Sequence, residues 1–333
     1  MRASPRGNVR PGTLSGPVRV RCALGRLELA RPAGAERYAL AVVDALRRSG
    51  RLEVVEDPAA SAPAVLSLDG RFRSAPMTAV TVVDDLGHLF RRSAYQPRDW
   101  LAQNWRVASA ARRSDAVLVP SDAVRSGLES RLRLAPARAV TFEILPGPTF
   151  RRPQREDVAA LRRALGLPPR YLLFVGTRSR RKNLRLLARA WARARPRLGD
   201  GAGLVLAGKG AGTVAGSRDL GYVDLERLPL LLAGAVAFVS PSFYEGSAIG
   251  ALEAIACGTP PIVSLTGAPP RAVDRAGIIL DADDEEAWAE SMVALAAATD
   301  LRPSLAAAGL KTIAERRAQP PSEEALVQAL TGA

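Results

Sequence analysis

The stretch Pro241–Ser264, PSFYEGSAIGALEAIACGTPPIVS, decides how this chain is read. Just before it, AFVS (Ala237–Ser240) is short, apolar and bounded by turn residues, as a buried strand should be. That strand delivers the chain to Pro241, and a tight turn at Glu245 and Gly246 follows. The spacing then predicts a helix that starts near Ser247 and runs over Ala248–Ala256, with a further strand at PIVSL. In open parallel sheets, ligands bind beyond the carboxyl ends of the strands. A helix N-terminus placed there offers unpaired N–H groups to an anion such as a diphosphate. Glu245 precedes the helix and Glu253 lies on it, so the two carboxylates reach different parts of one extended ligand. Glu253 stands between Leu252 and Ala254, where a buried carboxylate is costly without hydroxyl or amide donors. Sugar and ribose hydroxyls would serve. The plainer alternative makes Glu245 a helix cap and Glu253 a surface residue.

Upstream, VGTRSRRKNL (Val175–Leu184) ends a strand at Gly176 and gathers Arg178, Arg180, Arg181 and Lys182 before the next helix. Cations held there can neutralise the charge that develops on a departing nucleoside diphosphate. A solvated basic turn is the alternative. Around these two segments, short β-rich runs alternate with longer helical ones throughout, the pattern of parallel sheets covered by helices. Strands are expected at Val18–Leu24, Leu52–Glu56, Val65–Leu68, Ala79–Asp84, Ala116–Val119 and Val140–Leu145. After the text PGPTFRRPQREDVAALRRALGLPPR (Pro146–Arg170) the alternation restarts with Tyr171–Val175, Gly203–Gly208 and a short strand at Tyr222. The expected fold class is therefore α/β: a leader at 1–17, one unit at 18–148, a linker at 149–170, a second unit at 171–300 and helices over 301–333. A cleft between two such units is the natural ligand site.

Composition agrees with this and excludes other classes. The 333 residues are 47% apolar and 5% aromatic, enough for two cores. One histidine and two distant cysteines, Cys22 and Cys257, cannot supply a zinc cluster or a disulfide framework. No metal site is expected. No apolar run approaches the roughly 20 residues that span a bilayer. The net charge of +14 is almost all arginine, which suits phosphate or an anionic surface, or merely reflects an Ala- and Arg-rich composition. Aromatic residues are not interleaved with the basic ones, so nucleic acid is not an expected partner.

The stretch from Tyr171 to about Ala298 resembles the donor-binding domain of the retaining glycosyltransferases of the GT-B architecture, in which two Rossmann-like domains with parallel sheets face each other across a cleft. The resemblance rests on VGTRSRRKNLRLL, LVLAGKG, GYVDLERLPLLLAGAVAFVSPSFYEG, ALEAIACGTPPIVS and GIILDADDEEAWAESM, in that order. It implies that Glu253 hydrogen-bonds the nucleotide ribose, that Glu245 faces the transferred sugar, and that Arg181 and Lys182 grip the diphosphate. Gly246, Ser247, Ala248 and Ile249 would supply backbone contacts. Tyr222 and Val223 would border the base, with Gly176 and Arg178 beside the phosphates. The amino-terminal half resembles the family more thinly, through AERYALAVVDAL, VTVVDDLGHLF and ARRSDAVLVPSDAVRSGL, which places Gly34 and Asp85 at the cleft.

Departures are visible. Glu245-Gly246-Ser247-Ala248-Ile249-Gly250 stands where the family commonly reads Glu-Gly-Phe-Gly-Leu-Pro. Asp84-Asp85-Leu86 replaces a frequent His-Asp-Leu, and His88 reads as structural. The resemblance implies transfer of a hexose, for instance mannose or a deoxyhexose, from a GDP- or UDP-sugar to a hydroxyl acceptor on a glycan or lipid-linked carrier. No further cofactor would be needed. The expected location is cytoplasmic, with peripheral contact to an anionic membrane through Trp100 and Trp105 as one option and burial of those tryptophans as the other. A non-catalytic member that binds nucleotide sugar or a partner glycosyltransferase is the alternative function.

Overall fold

A computed structural model describes residues 18–23, 34–55, 62, 64–67, 78–297, 300–319 and 323–331. The leader at 1–17 and the loop 24–33 before Gly34 lie outside these residues. The first sheet contains β1 (Val18–Ala23), β2 (Leu52–Val55), β3 (Ala64–Ser67), β4 (Thr78–Val82), β5 (Ala116–Val119) and β6 (Ala139–Thr141). Among the described residues these pair in the order β2-β1-β3-β4-β5-β6, all parallel. The order changes direction between β1 and β3, so a crevice opens there at the carboxyl ends.

Helices cover this sheet because their apolar residues recur at helical spacing. Along α1 (Gly34–Arg48), Tyr38, Val42, Ala45 and Leu46 turn inward, and the Tyr38 hydroxyl donates to the Phe142 carbonyl at 3.0 Å. Beyond β4 come the single-turn α2 (Gly87–Phe90), α3 (Pro97–Arg113) and α4 (Asp122–Leu132). Ser121 caps α4, its hydroxyl accepting from the Val124 N–H. The only histidine, His88, is buried in α2; its carbonyl accepts from Trp100 Nε1 at 2.8 Å, and burial, then Arg106, depresses its imidazole to about 4.

The segment 149–170 is not a free tether. It carries α5 (Arg155–Ala164), and Phe150 and Leu167 are buried in the core beneath the second sheet. That sheet consists of β7 (Arg170–Val175), β8 (Ala202–Ala207), β9 (Ser217–Asp219), β10 (Ala237–Ser240), β11 (Pro261–Ser264) and β12 (Ile278–Leu280). Its parallel order is β12-β11-β10-β7-β8-β9, with the reversal between β7 and β10. The helices are α6 (Leu184–Leu198), α7 (Leu228–Gly234), α8 (Ile249–Ala256), α9 (Pro269–Val273), α10 (Glu285–Ala297) and α11 (Leu301–Ala318). Finally, α12 (Glu323–Thr331) returns to the first sheet and buries Leu326, Val327 and Leu330 in its core.

Two local expectations change. The strand expected at Tyr222 lies earlier, at Ser217–Asp219, because Gly221 adopts a left-handed φ of 64° that ends extended pairing before Tyr222. The helix expected near Ser247 begins at Ile249, because Ala248 just before it takes a φ of 51°. Both cysteines are buried and free. Among the described residues no helix is long and apolar enough to cross a membrane.

The second core is anchored where α6 meets α10. Trp191 and Trp288, at 1% and 0% exposure, pack there against Leu187, Ala289 and Met292. Truncating a buried tryptophan leaves a large cavity, so Trp191→Ala is expected to lower stability by about 3–5 kcal/mol. Chemical denaturation checks this, and the midpoint should fall with little change in slope.

Candidate functional site

The two reversals of strand order face each other, and a cavity of about 330 Å³ lies between them. Two short segments of the second domain build its floor. The first leaves β7 at Val175, where Gly176 takes a φ of 157° that a side-chain-bearing residue rarely adopts. It then tightens into a 3₁₀ turn at Arg180–Lys182 and ends at Asn183, whose left-handed backbone (φ 52°) is held by a bond from its amide to the Ala282 carbonyl at 2.9 Å. The second segment leaves β10 and runs from Pro241 to Ala248. The Phe243 N–H donates to the Arg181 carbonyl at 2.9 Å, so backbone as well as side chains joins the two segments.

Arg181 and Lys182 point into the cavity and meet Glu245. Lys182 Nζ donates to Glu245 Oε1 at 2.5 Å, and Arg181 Nη1 lies 3.4 Å from Oε2. Arg181 Nη1 also donates to the Tyr244 carbonyl at 2.6 Å and pairs with Asp85 Oδ2 at 3.2 Å. Burial alone would raise the Glu245 carboxyl. Lys182 and Arg181 more than offset it and hold the group down at about 2. Burial also opposes the charge on Arg181, and Asp85 and Glu245 together outweigh that, keeping the guanidinium firmly protonated. The backbone of Glu245 is fixed in turn, since its carbonyl accepts from the Ala268 N–H at 2.8 Å.

The first domain closes the cavity. Ser121 Oγ donates to the Gly246 carbonyl at 2.6 Å. A Cβ on Gly246 would lie only 1.8 Å from the Asp84 carbonyl oxygen, so only glycine allows this approach between domains. Outside the cavity, Arg91 makes a bidentate pair with Asp283 at 2.8 Å, and Arg271 pairs with Asp122.

The structure brings most of the sequence-derived candidates to this one cavity. Glu245, Gly246, Ser247, Ala248, Ile249 and Glu253 line one side. Gly176, Arg181, Lys182, Tyr222 and Val223 line the other, with Gly34 and Asp85 contributed by the first domain. Arg178 is the exception. Its side chain, 3% exposed, is turned away to pair with Asp219 and to donate to the Gly212 carbonyl at 2.8 Å. The physical reason is the bend at Gly176, after which alternate side chains point to opposite sides; Arg178 braces the segment 208–221 and does not line the cavity.

Three contributors were not anticipated. Arg37, in the first turn of α1, reaches across and pairs with Glu253, which is 2% exposed. Burial lowers this guanidinium to about 10. No local signal in the sequence marked this pairing, because its two partners lie on different domains. Asp84 also lines the cavity, and Ser121, read only as a helix cap, additionally bonds the Gly246 turn. Among the described residues no three His, Cys, Asp or Glu side chains group as metal ligands.

Comparison with known proteins bears on this arrangement. Residues 169–298 match the family described as "Glycosyl transferases group 1". The O-antigen chain mannosyltransferase B of Escherichia coli is 30% identical over 224 residues, which cover 63% of this chain. The chain spans only 58% of that relative's length. WaaG, a glycosyltransferase involved in lipopolysaccharide biosynthesis, superimposes with a TM-score of 0.74 at 14% identity, covering 95% of this chain and all of that one. The Anabaena protein HepE, solved in complex with UDP-glucose, gives 0.70 at 14% identity, covering 90% of this chain and 95% of that one. At such identities these structures establish a shared fold.

The ionised Glu245 sits below its ordinary value of 4.5, so its pairing stabilises the fold above that pH, and the contribution is lost as pH falls toward about 2. Glu245→Gln should therefore melt at a lower temperature than the wild type at pH 7. The gap should narrow steadily as calorimetric scans move from pH 5 to pH 3.

Proposed function

We propose, on the premise that the carboxy-terminal half belongs to the group 1 glycosyl transferases and that the chain has the GT-B fold, that the protein moves a hexose from a nucleoside diphosphate sugar to a hydroxyl acceptor with retention of configuration. One observation carries this reading: the basic turn at 180–182 and the Glu245–Ala248 turn converge on one cavity that both domains close. Donor phosphates lie against Arg181, Lys182 and the backbone N–H groups leading into α8, which stabilise the leaving diphosphate. Glu253 takes the ribose hydroxyls after Arg37 swings aside, Glu245 faces the sugar, and Tyr222 and Val223 border the base.

In this reading the acceptor hydroxyl attacks from the face the diphosphate leaves, and a diphosphate oxygen accepts the hydroxyl proton. His88 is buried within the first domain and does not line the cavity, which fits a reaction without that histidine as base. Domain closure keeps water from the donor. In this reading the donor carries mannose, another hexose or a deoxyhexose on GDP or UDP, and the acceptor is a glycan or a lipid-linked glycan.

A screen of nucleotide sugars for released diphosphate tests the function. Arg181→Ala should cut kcat by about 10²–10³-fold. Glu253→Ala should mainly raise donor KM, by roughly tenfold or more, as expected for losing a hydrogen bond to a charged group worth about 1.5–3 kcal/mol. Unchanged rates in both variants would end the assignment. One observation favours a non-catalytic nucleotide-sugar binder instead: Arg37 already pairs with Glu253, and carboxylates already neutralise Arg181 and Lys182. Binding of UDP or GDP by calorimetry with no donor consumed would select that reading.

We also infer peripheral contact with an anionic membrane at the cytoplasmic face. Of the two tryptophans considered, Trp100 is pinned by its bond to His88 and by Arg92 over its ring, whereas Trp105 and Leu101, one turn apart on α3, are 68% and 62% exposed. Arg98 and Arg112 flank them on the same helix. Sedimentation with anionic vesicles should capture the protein at low salt and release it at high salt. The double variant Leu101→Ala/Trp105→Ala should bind less, and equal binding to zwitterionic vesicles would refute the idea.

A further inference from the structure

Every hydrogen bond and ion pair that the Arg181 guanidinium makes with the described residues falls on a single nitrogen. Nη1 meets the Tyr244 carbonyl, Asp85 Oδ2 and Glu245 Oε2, at 2.6, 3.2 and 3.4 Å. The Nε/Nη2 edge of the guanidinium has no partner among the described residues, and this is the edge that offers two parallel N–H donors to a phosphate or carboxylate. Of the three groups on Nη1, two belong to the second domain, as Arg181 does. Asp85 alone comes from the first.

Asp85 is itself held firmly. Its Oδ1 accepts the Gly87 N–H at 2.6 Å, a local turn that starts α2. Gly87 is crowded: a Cβ there would lie 2.7 Å from the Tyr95 hydroxyl, 2.9 Å from Asp85 Oδ1 and 3.0 Å from Arg181 Cδ. The stem of Arg181 thus passes directly over the 85–87 loop. Without that loop, Arg181 would keep its bond to the Tyr244 carbonyl but lose the wall that fixes the plane of its guanidinium.

We propose that Asp85 is a positioning residue: by holding Arg181 Nη1 from the opposite domain, it aims the free Nε/Nη2 edge at the leaving diphosphate only when the two domains are closed. This rests on the donor-site reading above and adds to it a link between closure and the reacting centre. In this role Asp85 acts on the reaction through Arg181. It matters for the rate because a misdirected donor stabilises the developing charge poorly, and displacement of a catalytic group by about 1 Å can cost 10²-fold.

The groups facing Asp85 make its grip sensitive to pH. Burial raises its carboxyl, Arg181 lowers it, Asp84 raises it, the Gly87 N–H lowers it and Glu245 raises it, leaving it at about 6; the Tyr95 hydroxyl lies alongside. Below that pH the carboxyl gains a proton and loses its charge-based hold on Arg181. As pH rises through that value the carboxyl ionises and the hold is restored.

The test compares wild type, Asp85→Asn and Asp283→Asn, the last removing an interdomain pair outside the cavity. Three quantities are read: kcat with the best nucleotide sugar, the dissociation constants of UDP and GDP by calorimetry, and the pH profile of kcat. In Asp85→Asn, kcat should fall by about 10- to 100-fold while diphosphate affinity stays within about threefold or tightens, because Arg181 is left less neutralised. The acid limb of the wild-type profile near pH 6 should vanish with it. Asp283→Asn should behave as wild type.

Unchanged kcat in Asp85→Asn beside an active wild type overturns the proposal alone. Affinity falling in step with kcat also overturns it, since Asp85 would then be acting on binding. A wild type that binds diphosphate but consumes no donor overturns it as well. A wild type that shows neither diphosphate heat nor turnover removes the donor-site reading itself.

Discussion

Arg181 and Lys182, adjacent in sequence and both drawn into a partly enclosed cleft, repel each other, and the cleft can close only if something neutralises them. Glu245 serves both, and Asp85 serves Arg181. Because Glu245 and Asp85 belong to different domains, the same charge balance that permits the cations to be buried also draws the domains together. Much of the surrounding architecture keeps these four side chains in reach: the bend at Gly176, the left-handed Asn183, the backbone bond from Phe243 to Arg181, and the loop at 266–268 that fixes Glu245. On the proposed reading, a diphosphate entering this site would meet the free edge of Arg181 while Asp85 keeps its hold on Nη1. The carboxylates already keep both cations inside the cleft, so they would not have to be drawn in from solvent.

The same logic extends to Glu253 and Arg37. An isolated carboxylate on the buried face of α8 would be expensive, and Arg37 from α1 offsets that cost across the cleft. Each of the two glutamates in the central motif therefore has a partner connected to the opposite domain, Glu253 directly and Glu245 through Arg181. Closure is stabilised by ion pairs that join the two domains.

Much of this was legible in the sequence, for identifiable reasons. Both sheets could be read because buried parallel strands are continuous apolar runs, and AVLV at 116–119 and AFVS at 237–240 admit little else. The convergence of the basic turn and the Glu245 turn followed from strand order at a topological switch point, which is a property of the fold and not of one contact. What failed was local or long-range. Ala248 and Gly221 carry left-handed backbone, and nothing in a run such as Ser-Ala-Ile announces that an alanine will take it. Arg178 was indistinguishable from Arg181 by type and neighbourhood, and only the bend at Gly176 separates the one that binds Asp219 from the one that faces the cavity. The partnership of Arg37 with Glu253 joins positions more than two hundred residues apart, which no local pattern encodes.

The return of α12 to the first domain means that the chain passes between the domains twice, once before α5 and once after α11. The end of α11 lies against the first passage: Arg317 donates to the carbonyls of Pro146 and Phe150 at 3.2 and 2.9 Å. Opening the cleft must part Asp85 and Arg37 from Arg181 and Glu253 while both covalent connections between the domains stay intact.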